Sequence, residues 1–237
     1  MHITEEENSL HIIPSGMLCD NDLGDIPRPL PKQNFAMCII GAAGTGKTSF
    51  LISLLNQRKP KIYKKVFENI FLVVPAPSLV SIKSNIFRNH SPDKIFNELN
   101  PDTLITIRDQ VIEEAKEGFN SLIIIDDQTV HLKKKENEVL LKDLIYNRRH
   151  YHVSIMLLVQ SWTQIPLSVR KAFTVGCLFK PKNKKEMESV FEEVLFQPKH
   201  TIDEISKYVF KKPHDFLFFD VGTGDMHRNF NKLHIHE

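Results

Sequence analysis

Residues 35–55 read FAMCIIGAAGTGKTSFLISLL. The run Phe35–Ile40 is wholly apolar and short, which predicts a buried strand. It stops at Gly41. Three of the chain's nine glycines, Gly41, Gly44 and Gly46, then fall within six positions, so the cluster is local and does not reflect a glycine-rich protein. After Lys47-Thr48 the pattern turns amphipathic over Thr48–Asn56, with Phe50, Leu51, Leu54 and Leu55 sharing one helical face. Gly41-Ala42-Ala43-Gly44-Thr45-Gly46-Lys47-Thr48 fits GxxxxGK[ST] in full, between a strand and a helix as the motif requires. Glycines let consecutive N–H groups turn inward on a phosphate, and the helix N-terminus adds the positive end of its dipole. In such a loop Lys47 is directed at the β- and γ-phosphates and the Thr48 hydroxyl at Mg²⁺. The expected nucleotide-binding set is Gly41 to Thr48 with Ser49, and the expected ligand is ATP with Mg²⁺.

Outward from this stretch the same alternation recurs. Asn69–Val74 (NIFLVV), Ser121–Ile125 (SLIII), Val153–Val159 (VSIMLLV) and Thr174–Phe179 read as buried strands. Helices are expected at Pro92–Leu99, Gln110–Glu117, Glu136–Tyr146 and Lys184–Leu195, and a further strand at Thr103–Ile107. Phe216–Val221 and Met226–Phe230, flanking GTGD, predict a terminal hairpin. Apolar strands separated by helices indicate an α/β fold, a mostly parallel sheet covered on both faces. Residues 1–34 are expected to form an arm. Pro27, Pro29 and Pro31 on alternate positions favour an extended linker into a P-loop domain spanning 35–237.

Ligands of parallel sheets sit at the carboxyl ends of the strands, which makes the polar strand ends the informative residues. SLIIIDDQ ends in Asp126-Asp127. Asp126 is placed to hold Mg²⁺ through a water, and Asp127 to polarise an attacking water. Gln160 ends the next apolar strand, where an amide can reach a γ-phosphate or that water. Arg149, eleven residues earlier, precedes the same strand. There it can act as an arginine finger toward a neighbouring subunit's nucleotide; equally, Arg148 and Arg149 can simply be the basic end of the preceding helix, favoured by its dipole.

GAAGTGKT, LIIIDD, RRHYHVSIMLLVQS and PLSVRKAF together resemble the FtsK–HerA superfamily of P-loop motors. The resemblance is to its viral branch, the poxvirus-type genome-packaging ATPases of large DNA viruses and virophages, and it covers about residues 30–180. It implies a RecA-like core, a homo-oligomeric ring of five or six subunits, and double-stranded DNA pumped into a capsid. It further implies a capsid or membrane partner at the packaging vertex, and a location at assembly sites in the host cytoplasm or in the virion. Carried onto this chain, the resemblance makes Lys47 and Thr48 the Walker A pair, Asp126 and Asp127 the Walker B pair, Gln160 the sensor and Arg149 the trans finger. Arg148 is the alternative finger, and Arg170 in SVRKAF a lesser candidate.

Composition is compatible with this and excludes other classes. The 237 residues carry 41% hydrophobic and 25% charged side chains, ordinary for a globular domain. Cys19, Cys38 and Cys177 are three and far apart, which argues against a disulfide framework or zinc site and suits a reducing compartment. The acidic start MHITEEENSL has no signal-peptide pattern, and no apolar run is long enough for a transmembrane segment. A net charge of +2 hides two basic clusters, Lys133–Lys135 and Lys180–Lys185, either of which can be a DNA-contacting loop or a solvated charged loop. The histidines near the C-terminus, His227, His234 and His236, have no cysteine and no acidic cluster beside them in sequence, which argues against a metal site. Two alternatives to a motor are a nucleotide or nucleoside kinase and an ATP-dependent switch or loader. The candidate kinase lid KPKNKKE has no arginine, which counts against the first.

Overall fold

The computed structural model describes residues 21–80, 86–197 and 199–235. Cys19, His236 and most of the expected arm lie outside these. Strands β1 (Ala36–Ile40), β2 (Asn69–Val73), β4 (Ser121–Asp126), β5 (Val153–Val159) and β6 (Val175–Phe179) form the body of one nine-stranded sheet. The sheet is completed by β3 (Ile95–Phe96), β7 (Phe216–Asp220), β8 (Met226–Arg228) and β9 (Asn231–Lys232). Their order is β3-β2-β4-β5-β1-β6-β7-β8-β9. The first six strands in this order are parallel, and β7, β8 and β9 join antiparallel as the C-terminal hairpin region. β1 and β5 are buried along their whole length, as expected of strands covered on both faces.

The two faces carry separate apolar clusters. One holds Leu104, Ile107 and Val111 of α3 (Pro101–Lys116) and Leu141, Leu144 and Ile145 of α5 (Lys135–Tyr146), packed on alternate residues of β4 and β5 such as Ile123 and Ile155. The other holds Phe50, Leu51, Leu54 and Leu55 of α1 (Lys47–Asn56), packed on residues of the opposite parity such as Ile124 and Met156. This is the period-two alternation of a strand read out on both sides.

Two elements differ from the sequence reading. Thr103–Ile107 is helical, within α3. The segment is rich in β-branched residues, but Leu104, Ile107 and Val111 bury at helical spacing. Asn100 accepts a hydrogen bond from the Thr103 N–H (2.8 Å) with Pro101 in the first turn, a cap that sets the helix. Pro92–Leu99 is a single 3₁₀ turn, Pro92–Lys94, followed by β3, which pairs Ile95 and Phe96 with Leu72 and Val73 of β2. Burial on an open sheet edge outweighed local helix preference there. Helix α7 (Lys184–Val190) begins the helix expected at Lys184–Leu195, whereas α2 (Ala76–Val80), α4 (Thr129–Leu132), α6 (Leu167–Arg170) and α8 (Lys199–Val209) were not anticipated. Residues 21–34 do not extend away from the domain. Asp22 bridges Gln33, and Leu23, Ile26 and Leu30 are buried in the α1-side cluster. Tyr63 holds this segment by donating its hydroxyl to the Pro31 carbonyl (2.9 Å).

Candidate nucleotide site

β5 lies between β1 and β4. That order brings three strand ends together at one edge. Ile40 of β1 pairs with Val159, and Asp126 of β4 pairs with Leu158 of the intervening strand. Two strand spacings are about 10 Å, so the loop after β1 and the carboxylate ending β4 face each other across Gln160. The Gly41 N–H donates to the Val159 carbonyl (3.1 Å), tying the loop to β5.

The loop itself is set by backbone conformation. Gly44 (φ 78°) and Gly46 (φ 110°) are left-handed, and Gly46 caps α1. Thr45 donates its hydroxyl to the Ala42 carbonyl (2.8 Å), which closes the loop. A Cβ on Gly41 would lie 2.5 Å from the Thr45 Oγ1 and 2.9 Å from the Phe179 Cβ, so this position also needs glycine for space. Lys47 donates its ammonium to the Gly41 (2.5 Å) and Ala42 (3.1 Å) carbonyls. Two of its three N–H groups therefore brace the loop, and the third is available to a ligand.

A cavity of about 670 Å³ is bordered by Ala43, Gly44, Lys47, Thr48, Ser49, Asp126, Asp127 and Gln160. Lys47, Thr48, Ser49, Asp126, Asp127 and Gln160 thus meet at one space, which Gly41, Ala42, Thr45 and Gly46 of the expected set do not border. Asp127 has a left-handed backbone (φ 56°), a conformation rare for a non-glycine residue and concentrated at functional sites. The next side chain, Gln128, is buried and takes no part. It accepts from the Leu99 N–H (2.9 Å) and donates to the Asn97 carbonyl (3.1 Å). Burial raises the pKa of Asp126 from 3.8 to about 6; Lys47 opposes this and Asp127 adds to it. Burial lowers the pKa of Lys47, against the pull of both carboxylates. A half-buried carboxylate beside a second, exposed one, across from a threonine hydroxyl, is a donor set that suits a hard dication. Thr48 and Asp126 fit Mg²⁺ on that ground. Among the described residues there is no group of three His, Cys, Asp or Glu able to hold a metal by themselves.

Arg148 and Arg149 are not brought to this cavity. Both precede β5, and its seven residues separate them from Gln160 by roughly 20 Å along the strand. Arg148 donates to the Asn34 (3.2 Å) and Ile145 (3.0 Å) carbonyls and is committed to its own domain. Arg170 pairs with Glu193 (2.8 Å) and lies over the Trp162 ring at 5.7 Å, which makes it part of the packing. Lys134 and Lys135 lie near Glu98 (3.8 Å) and Glu138 (4.0 Å) on an exposed surface, and Lys184 pairs with Asp203 (3.0 Å). Missed from the sequence were His214, Phe216 and Phe230, which reach the phosphate loop from the far end of the chain.

Loop, strand order and paired acidic strand end define a P-loop NTPase fold of the RecA-like type. Within that class the chain belongs to the Poxvirus A32 protein family, whose profile matches residues 27–209. It is 28% identical over 169 residues to DNA packaging protein OPG160 of Variola virus, covering 69% of this chain and 59% of that protein. To the Vaccinia virus (strain Copenhagen) protein of the same name it is 30% identical over 156 residues, covering 63% and 54%. The chain thus spans little more than half the length of these curated relatives. Among solved structures, B204, the DNA-packaging ATPase from Sulfolobus Turreted Icosahedral Virus, superposes with a TM-score of 0.63 at 16% identity, covering 85% of this chain and 98% of that one. EssC (ATPases 2 and 3) from Geobacillus thermodenitrificans superposes at 0.55 with 12% identity, covering 78% and 37%. At these identities both likenesses are of fold.

Proposed function

We propose that this protein hydrolyses ATP to drive double-stranded DNA into a viral capsid. The observation that carries the reading is the convergence of Lys47, Thr48, Asp126, Asp127 and Gln160 on one cavity. A binding-only switch needs the phosphate loop but no second carboxylate and amide at the γ-phosphate end. The poxvirus relatives are DNA packaging proteins, and B204 is a DNA-packaging ATPase, which supports the same direction.

The roles follow from position. The loop N–H groups and the third N–H of Lys47 bind the phosphates. Thr48 and Asp126 would hold Mg²⁺, which would neutralise charge on those phosphates. Asp127 orients a water and accepts its proton, and Gln160 holds that water in line. Arg149 serves a neighbouring subunit. Its place at the opposite sheet edge supports this, since an arginine roughly 20 Å from its own loop can stabilise transition-state charge only in trans. That role requires a homo-oligomer, and the resemblance to the packaging motors makes it a ring of five or six copies, with Lys133–Lys135 or Lys180–Lys185 facing the DNA and a capsid or membrane component at the vertex. Assembly sites in the infected cytoplasm, or the virion, are the corresponding location.

The test is ATP hydrolysis with and without long duplex DNA, for the parent, Arg149→Ala, Lys47→Ala and a mixture of the two variants. DNA should stimulate the parent, each variant alone should be inactive, and the mixture should recover activity because each supplies what the other lacks. Hydrolysis indifferent to duplex DNA, or a mixture as inactive as its parts, would overturn the motor reading.

A further inference from the structure

The phosphate loop is the shared wall of two cavities. The first holds the carboxylates. The second, about 630 Å³, lies on the other flank of α1 and is bordered by Ser49, Phe50, Ser53, Phe179, His214, Phe216 and Phe230 along with the loop. A nucleoside triphosphate has two ends. On the proposed function Asp126, Asp127 and Gln160 take the γ-phosphate end in the first cavity, which leaves the second, on the other side of the shared loop, for the nucleoside.

That second cavity is aromatic and held in shape. The Phe230 ring stacks on Phe50 (centroids 6.1 Å, 30°) and meets Phe216 edge-on (5.3 Å, 74°), yet 38% of Phe230 is exposed. One cluster positions both walls. Asp215 accepts from Arg228 (2.8 Å) and from the Asn229 side chain (3.1 Å). Asn229 in turn accepts from the Phe216 N–H (3.1 Å) and donates its own backbone N–H to the Phe216 carbonyl (2.8 Å). His214 and Phe230 adjoin this cluster, immediately before Asp215 and immediately after Asn229. His214 and Asn229 both have left-handed backbones (φ 66° and 55°), strain that the surrounding bonds sustain. His214 donates from Nδ1 to the Thr45 carbonyl (2.9 Å), joining this wall to the phosphate loop. An exposed ring kept beside a phosphate loop by a dedicated hydrogen-bonded turn is a stacking surface.

We propose that Phe230, backed by Phe50 and Phe216, stacks the base of the bound nucleotide and that His214 couples this face to the phosphate loop. The proposal rests on the phosphate-loop reading and extends it to the nucleoside. Aromatic stacking is worth roughly 1–3 kcal/mol per base, about a 5- to 150-fold change in affinity. The rim offers few polar groups to read a base edge, so ATP and GTP should bind within about tenfold of each other.

Nucleotide binding to the full chain is measured for the parent, Phe230→Ala and Phe230→Trp, with ATP, GTP and inorganic tripolyphosphate as ligands. Phe230→Ala should weaken ATP by at least fivefold and leave tripolyphosphate unchanged. Phe230→Trp should keep ATP affinity, and its fluorescence should be quenched by ATP but not by tripolyphosphate. The chain's single native tryptophan, Trp162, is buried and provides the background. Equal ATP affinity in parent and Phe230→Ala, with no quenching in Phe230→Trp, overturns the stacking proposal and leaves the phosphate loop standing. Equal loss of ATP and tripolyphosphate in Phe230→Ala also overturns it, since the ring would then shape the loop. A parent that binds neither ligand overturns the phosphate-loop reading itself.

Discussion

Asp126→Asn should stabilise the protein at neutral pH while abolishing hydrolysis. Burial lifts the Asp126 pKa from 3.8 to about 6, Lys47 pulling it down and Asp127 pushing it further up. The folded state therefore holds this proton more tightly than the unfolded chain does. Below the ordinary value both states are protonated and the residue is neutral to stability. As pH rises from 3.8 through about 6 the unfolded chain ionises first, and stability falls. Above that window both states are ionised and folding carries the full cost of a buried charge, about 3 kcal/mol at most. About half of it should remain at pH 5. The asparagine must find its own hydrogen bonds, so the expected gain at pH 7.5 is about 1–3 kcal/mol. Urea denaturation of both proteins in EDTA, without nucleotide, at pH 7.5 and pH 5 measures it as a shift in midpoint at constant slope. A variant less stable than the parent at pH 7.5 would refute the reasoning, as would a gain of the same size at both pH values.

Other perturbations test separate links. Lys47→Ala should reduce hydrolysis at least 10²-fold, and circular dichroism should be unchanged because the Lys47 ammonium bonds loop carbonyls at the cavity edge and lies outside the apolar core. Gly46→Ala forces a side chain into φ 110° and toward His214 (3.3 Å) and Phe179 (3.4 Å), so it should cost roughly 1–3 kcal/mol and nucleotide binding, read by thermal melting and by titration. Arg170→Ala leaves Glu193 without its 2.8 Å partner and strips the Trp162 face. A loss of about 1–3 kcal/mol is expected, with trans-complementation of Lys47→Ala still intact when mixtures are assayed. Replacing Lys133, Lys134 and Lys135 together should reduce DNA stimulation of hydrolysis and spare the basal rate, with stimulation at parental level removing that loop from the DNA path.

Much of the candidate site was legible in the one-dimensional pattern because its parts are local. A strand, a glycine loop and a helix N-terminus build the phosphate cradle within residues 36–56, and backbone conformation is a property of the residues that adopt it. Asp126, Asp127 and Gln160 were readable for a similar reason: each ends an apolar run, and parallel strands present their carboxyl ends on one edge. Thr103–Ile107, expected as a strand, is rich in β-branched residues, but burial of Leu104, Ile107 and Val111 at helical spacing decided for helix.

Sequence alone determined the P-loop class, the sheet's buried strands and the polar strand ends that border one cavity. Only the tertiary structure decided that β5 separates β1 from β4, which sets the distance between loop and carboxylate. It alone showed that Arg148 is spent on its own domain and that residues 21–34 fold back onto α1's side of the sheet. It alone brought His214 and Phe230 to a loop that begins at Gly41. Arg148 meets Asn34 across 114 positions and His214 meets Thr45 across 169, and no periodicity or short motif encodes a pairing at that range. The strand order and the turn built on Asp215 fix it instead.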